Sequence, residues 1–279
     1  MAQIHPSSVI EPGAQLADDV RVGPFCYVGP HVRIGAGTHL VSHVAVHGHT
    51  TLGKGNRLWS GAVLGAEPQD LKYKGEPAQL IVGDDNDLRE CVTIHIGTEN
   101  GGGVTTVGSS NLIMAYVHVG HDCYVGNHCI IANAVQLAGH IHILDHANIG
   151  GATAIHHYVT IGQYSFVGGM TRIVHDVPPF MLVEGNPSRV RGINQIGLAR
   201  HRFSPESIDR LKDAFRRLYR NNDEPGSNMA DNLTALEQQF AGDECIQLLT
   251  QSIRNSTIGL HGRYREAARQ DNRYQNPVK

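Results

Sequence analysis

Aliphatic residues recur at every sixth position along the first two thirds of the chain. The series starts at Ile4 and runs through Ile10, Leu16, Val22, Val28, Ile34, Leu40, Val46, Leu52 and Leu58 to Leu64. It resumes in phase at Val82, Leu88 and Ile94 and slips by one residue. It then runs from Val107 through Ile113, Val119, Val125, Ile131, Leu137, Ile143, Ile149, Ile155, Ile161 and Val167 to Ile173. Were about a third of residues aliphatic, twelve consecutive hits would have a chance probability below about one in 10^5. Four places after each aliphatic residue the chain usually carries a small or β-branched one, as at Ser8, Ala14, Val20, Cys26, Val32 and Thr38. The pattern predicts a mainly β fold, a left-handed parallel β-helix of hexapeptide repeats. Three hexads close a triangular coil of about 18 residues, and coils stack at about 4.8 Å, so each inward aliphatic side chain rests on the one a coil below. No coil buries its core alone.

Two interruptions define external loops, expected at about residues 66–81 and 97–106. In the first, Asp70 and Glu76 stand where the period calls for aliphatics; the second carries three consecutive glycines, Gly101 to Gly103. Loops on a rigid scaffold are where binding residues tend to sit. The repeat is expected to end at Asp176-Val177-Pro178-Pro179, because a double proline cannot continue the ladder. The β-helix is thus placed at residues 1–190 and a C-terminal helical domain at 191–262. Ser204-Pro205-Glu206 reads as a cap, a first-turn proline and an acidic first turn, followed by Ile208, Leu211, Phe215 and Leu218 at helical spacing. Asn221 to Ser227 breaks that helix, Met229 to Phe240 forms a second, and Cys245 to Ile253 a third. The polar, basic tail at 263–279 is expected to be disordered.

Composition changes this picture in two respects. The formal charge of -3, with no long run of either sign, gives no electrostatic case for nucleic acid or an anionic membrane. No stretch is long and apolar enough for a span and no leader precedes the repeat, so a cytoplasmic protein is expected. The five cysteines are odd in number and form no CxxC pair, which argues against a disulfide framework and a cysteine zinc knot. Cys26, Cys123 and Cys129 fall on the small inward position and read as packing residues.

The 18 histidines need their own explanation. With about 18 residues per coil, positions 121, 139, 157 and 175 stack, which aligns His121, His157 and His175 on one edge. His140 and His156 lie one residue off that line and His118 three before His121. None takes an inward position, so the imidazoles point away from the core. A single surface histidine is usually a tolerated polar residue. His121 differs because Asp122 follows it and His118 and His140 flank it. A neighbouring carboxylate orients an imidazole and suits it to general-base work, but imidazoles are also common zinc ligands, and spacing fits either reading.

Several stretches then narrow the assignment. QDLKYKGEP (69–77), VTIHIGTENGGG (92–103), VHVGHDC (117–123), AGHIHI (138–143), GGATAIHHY (150–158), DVPP and GLARHRFS occur in this order. Taken together they resemble the UDP-N-acetylglucosamine acyltransferase family, within the hexapeptide-repeat acyltransferases, over residues 1 to about 260. The resemblance implies transfer of a 3-hydroxyacyl chain from acyl carrier protein to the glucosamine 3-position of UDP-N-acetylglucosamine, the first step of lipid A biosynthesis. It implies no metal and no other cofactor, and a homotrimer with sites in the clefts between subunits. By position, His121 matches the general base, Asp122 its support and the Gly139 N–H an oxyanion donor. His118, His140, His156 and His157 would line the sugar and pantetheine region, Asp70, Lys72 and His95 would contact the sugar nucleotide, and Asn194 and Arg200 its diphosphate and uracil end. Gly169 matches a position that limits acyl length, where glycine implies a longer chain. The sequence departs from the family at His157, where Gln is usual, at His201, where a second Arg is usual, and at Ile196, which replaces an acidic residue. Two other readings of such a β-helix are a zinc-dependent hydratase of the γ-carbonic anhydrase type and a non-catalytic scaffold.

Overall fold

The computed structural model of the protein describes residues 1–220 and 228–268. The predicted prism is present: three sheets of 11, 9 and 8 strands, parallel except for the last pair of the first, form its faces. Face one begins with Gln3–Ile4, face two with Val9–Ile10 and face three with Gln15–Leu16, and the chain visits them in that order coil after coil. Most strands are only two residues long, one outward and one inward, as at Arg57–Leu58 with Leu58 fully buried. The inward aliphatics Leu40, Leu58, Leu88, Ile113, Ile131 and Ile149 make a continuous stack on face one, and Cys26, Cys123 and Cys129 pack inside as expected. Each fully buried aliphatic of this kind contributes about 1.5–3 kcal/mol.

Coil corners bend sharply, and many are turned by a non-glycine residue of positive φ, among them Asp122 (59°), His140 (63°), His146 (60°) and Tyr158 (64°). At the corner between faces three and one, Asn56, Asn86 and Asn111 lie buried in the small inward position. The Asn86 amide donates to Asn56 Oδ1 and the Asn111 amide to Asn86 Oδ1, each at 2.9 Å. This polar ladder satisfies groups whose burial without partners would each cost about 1–3 kcal/mol.

Register explains both interruptions. Coil partners normally lie 18 residues apart (Gln3↔Arg21), but 30 apart at Arg57↔Asp87 and 25 apart at Asp87↔Leu112. Both insertions leave the prism at the corner between faces two and three: residues 67–78 follow strand Val63–Ala66, and residues 96–103 follow strand Thr93–His95. The loops are shorter than expected, because Gln79, Leu80 and Ile81 pair in parallel with Val104, Thr105 and Thr106 and so belong to the ladder.

Two expectations about the C-terminal half are corrected. The double proline does not end the ladder: strand Met181–Glu184 still pairs in parallel with Phe166–Val167 on face one, then antiparallel with Arg189–Ile193. Pro178 and Pro179 sit in the corner, where no ladder donor is required. Residues 263–268 are not disordered, since Arg263 and Glu266 are buried and Tyr264–Ala268 forms a short 3-10 turn. Residues 269–279 and the predicted break at 221–227 lie outside the described residues.

Four helices, α1 (Gln195–Arg200), α2 (Pro205–Phe215), α3 (Met229–Gln239) and α4 (Glu244–Ile258), surround a second core of Phe180, Met181, Leu198, Leu211, Leu236 and Leu249. Ser204 caps α2 as its sequence implied, its Oγ accepting from the Ser207 N–H at 3.1 Å. No helix among the described residues is long and apolar enough to cross a membrane.

Candidate active site

The corner from which both loops leave also carries the predicted histidine edge. His121 and Asp122 turn the corner between strands His118–Val119 and Tyr124–Val125, one coil beyond the second loop. Both are buried. His121 Nδ1 lies 2.7 Å from Asp122 Oδ2. Asp122 Oδ1 accepts from the Thr98 N–H at 2.8 Å and Oδ2 from the Thr98 hydroxyl at 2.6 Å. Burial works against ionisation of Asp122, but the hydrogen bonds from His121 and Thr98 and the nearby His140 outweigh it and hold the carboxyl below its ordinary pKa. An ionised carboxylate only accepts, so Nδ1 of His121 carries a proton, and in the neutral ring the lone pair is on Nε2. Nε2 faces the first loop, with Asp70 Oδ2 3.9 Å away.

Two glycines make this arrangement sterically possible. A Cβ at Gly139 would lie 2.5 Å from Cε1 and 2.6 Å from Nε2 of His121, so the imidazole rests directly on the backbone of the next coil. A Cβ at Gly101 would lie 1.9 Å from Asp122 Cγ. The second loop thus closes over the carboxylate with a residue that has no side chain. The Gly139 N–H has no hydrogen-bond acceptor among the described residues. Glu76 joins the loops, accepting from the Lys74 N–H at 2.8 Å through Oε2 and from the Glu99 N–H at 3.5 Å through Oε1.

Other predicted residues gather here. His140 meets the His121 ring edge-on at 5.0 Å and stacks on Tyr158 at 4.4 Å, and its Nε2 is 3.8 Å from Asp122 Oδ2. Burial pushes its pKa down to about 4 despite the opposing pull of Asp122. His95 is likewise lowered to about 4, by burial first and then by His118 and His121, and its buried Nδ1 has no partner among the described residues. His118 is hydrogen-bonded to the Thr93 hydroxyl at 2.8 Å, and burial lowers its pKa as well. Asp70 Oδ1 accepts from the Lys72 N–H at 3.0 Å, which folds the first loop toward the corner. His157 and His156 are exposed at the next coil, where His157 Nδ1 reaches the Gly139 carbonyl at 3.3 Å.

Three predicted residues are not brought to this corner within one chain. Asn194 caps α1, accepting from the Gly197 N–H at 3.1 Å, and with Arg200, Ile196 and His201 it lines a groove of about 900 Å³ against face one. Gly169 follows strand Phe166–Val167 and precedes Arg172–Ile173, so it lies at the corner between faces one and two. Sequence reasoning missed Thr98, Gly101 and Tyr158. The run GTENGGG contained the first two, but only the corner geometry ties them to Asp122.

His121, Asp122 and His140 offer ligand atoms within 4.8 Å of one another, the spacing a metal ion would need. Both Asp122 oxygens, however, already accept from Thr98 and His121, and His121 Nδ1 is committed to that bond. The donor set fits a hydrogen-bonded acid–base pair better than a closed tetrahedral site.

Fold and corner chemistry together define a hexapeptide-repeat transferase. Residues 1–36 and 105–139 match the family of bacterial transferase hexapeptide repeats, and residues 176–261 match the family described as Udp N-acetylglucosamine O-acyltransferase, domain 2. The chain belongs to the acyl-[acyl-carrier-protein]--UDP-N-acetylglucosamine O-acyltransferase family. It is 44% identical to the member from Stutzerimonas stutzeri over 260 residues, covering 93% of this chain and 99% of the relative. The Burkholderia lata member is 46% identical, again over 93% of this chain and 99% of the relative. Among solved structures, the UDP-N-acetylglucosamine O-acyltransferase of Moraxella catarrhalis superposes with a TM-score of 0.85 at 40% identity, over 90% of this chain and 96% of that one. The Francisella novicida UDP-N-acetylglucosamine acyltransferase gives 0.85 at 36% identity, over 90% and 91%.

Proposed function

We propose that the protein transfers a 3-hydroxyacyl chain from acyl carrier protein to the 3-hydroxyl of UDP-N-acetylglucosamine, with His121 as general base. The carrying observation is the His121–Asp122 pair, whose tautomer leaves Nε2 free on the side where the two loops stand. In the reaction, His121 Nε2 takes the sugar hydroxyl proton as the oxygen attacks the thioester carbonyl. The oxyanion that forms is met by the Gly139 N–H, a donor fixed before reaction begins. Collapse breaks the carbon–sulfur bond, and the proton held by His121 passes to the departing thiolate. Asp122 stabilises the imidazolium between these steps. Nothing in the sequence of events calls for a metal or another cofactor.

His118, His140, His156 and His157 line the sugar and pantetheine region in this reading, and Asp70, Lys72 and His95 contact the sugar nucleotide. Asn194, Arg200 and Gly169 act on the substrate from a neighbouring copy. Their separation from His121 supports a homotrimer with sites in the clefts between subunits, in which one chain supplies the base and its neighbour the nucleotide groove and the acyl stop. Exposed Ile196 and the His201 ring in that groove replace charged residues, so nucleotide contact there relies on apolar surface and stacking.

The test is incubation of the purified protein with UDP-N-acetylglucosamine, its 3-amino analogue, and 3-hydroxyacyl carrier proteins of graded length. An ester of the hydroxyl acceptor, formed fastest with longer chains, is expected. Absence of any acylated nucleotide would sink the function, and preference for the shortest chains would overturn the role of Gly169.

A further inference from the structure

The family match ends at residue 261, and the residues just beyond it turn back onto the histidine corner. Asp176 receives them: its Oδ2 accepts from the Tyr264 N–H at 2.8 Å, its Oδ1 from the Thr160 N–H at 2.7 Å, and its own N–H donates to the Gly262 carbonyl at 2.8 Å. His175 Nδ1 bonds the His261 carbonyl at 2.6 Å. Gly262 has φ +69° and lies so close to His175 that a Cβ would stand 2.9 Å from its Nδ1, so the approach requires glycine. Arg263, 7% exposed, donates to the Val174 carbonyl at 2.6 Å and to Glu266 Oε2 at 2.7 Å. A buried Arg–Glu couple is weak evidence for added stability; here it joins residues 263 and 266 and so fixes the path of the chain between them. What this strap fixes is Arg265, whose guanidinium donates to the carbonyl of His140, 125 residues earlier.

We propose that Arg265 is a positioning residue for the reaction described above, holding the Gly139–His140 turn and through it the surroundings of His121. His140 is held from several sides: its N–H donates to the His121 carbonyl at 2.9 Å, its ring stacks on Tyr158, and Arg265 binds its carbonyl. The oxyanion donor of the reading above, the Gly139 N–H, lies two peptide units before that carbonyl, in the same turn. The charged and titratable groups facing His140 are Asp122, His121, His157 and Arg265, together with the stacked Tyr158 and His142. Asp122 favours the protonated ring, while Arg265 and the other histidines favour the neutral one. The inference rests on the acyl-transfer reading for its kinetic consequences but not for its structural one.

Arg265→Gln in the full chain removes the cation and shortens the side chain, which draws its remaining amide donor back from the His140 carbonyl. Its kcat is expected to fall about tenfold, with KM for the sugar nucleotide within about twofold, because the loss lies in the transition state. Arg265 is the weakest of the causes that lower the His140 pKa, so its removal moves protonation of His140, and the acid limb that a cationic His140 imposes on kcat, slightly to higher pH. Arg265→Lys, which keeps the charge on a compact ammonium but loses the planar guanidinium fork, falls between the wild type and the glutamine variant, and it carries the same readings if the glutamine variant does not fold. An unchanged kcat and pH profile, or a loss confined to KM, overturns the proposal. Amide exchange measured over residues 139–142 separates the two inferences: faster exchange in the variant supports the positioning role even if the wild type transfers no acyl group. Unchanged exchange overturns it even if the wild type does.

Discussion

Two corners of the same prism carry stacked rings and do different things with them. At the corner between faces three and one, His128, His146 and Tyr164 lie nearly parallel, at 4.9 Å and 4.6 Å between successive centroids. Asp145 below them accepts from the Asn127 N–H at 2.8 Å rather than from an imidazole. At the corner between faces two and three, His121 meets His140 edge-on instead, and a carboxylate holds its Nδ1. The difference comes from the two insertions, which bring Thr98 and Gly101 onto Asp122 and Asp70 toward His121. A repeating coil supplies imidazoles at either edge; an inserted loop is what fixes one of them against a buried carboxylate.

The sharpest break of that comparison is His121→Ala, for which kcat falls by about 10^2 to 10^4 with the fold intact. A variant keeping more than about a tenth of wild-type kcat would remove the base from His121. Gly139→Ala comes next. Its Cβ would meet the imidazole at 2.5 Å, and displacement of a positioned group by about 1 Å is worth about 10^2 in rate. Steady-state kinetics with circular dichroism on the same sample separates this from unfolding.

Thr98→Val sharpens the role of the loop. The hydroxyl that Asp122 accepts from is lost, so the low pKa of that carboxyl rises toward its ordinary value. A depressed carboxyl contributes stability that is present above its unfolded pKa and lost as pH falls through the folded one. In the variant that contribution shrinks and disappears at higher pH, which acid titration followed by fluorescence or circular dichroism measures. The smallest effect on rate belongs to the opposite corner. Asn86→Ala breaks the buried ladder and costs about 1–3 kcal/mol of stability, because the Asn111 N–H loses its acceptor and the Gly108 carbonyl its donor. Its kcat stays at the wild-type value, and a large fall in kcat would show that the two corners are not independent.

The inward positions were legible residue by residue, because a six-residue period has one way to bury its aliphatics and the chance of accident was small. The histidine edge followed from the same count. Asn86 and Asn111 were not legible as a ladder, since the small inward position reads as apolar until neighbouring coils show that two amides meet there. The parallel strand after Pro178 and Pro179 was missed because local backbone chemistry forbids a ladder donor in the corner and says nothing about the coil's next face. Helix α1 is six residues long and too short to show a period. The segment at 263–268 read as a polar tail because its anchors, Val174, Asp176 and His140, lie about a hundred residues away.

Sequence by itself determined the period, the coil length, the phase of every inward residue and the edge on which the histidines stand. These follow from local repetition, in which each coil poses the same packing problem and accepts the same solution. Tertiary structure decided which histidine is held by which carboxylate, which glycines must lack a side chain, and where the residues after 261 come to rest. Those outcomes depend on approaches of a few ångströms between segments whose separation in the chain follows no period, so only the closed coils bring them into contact.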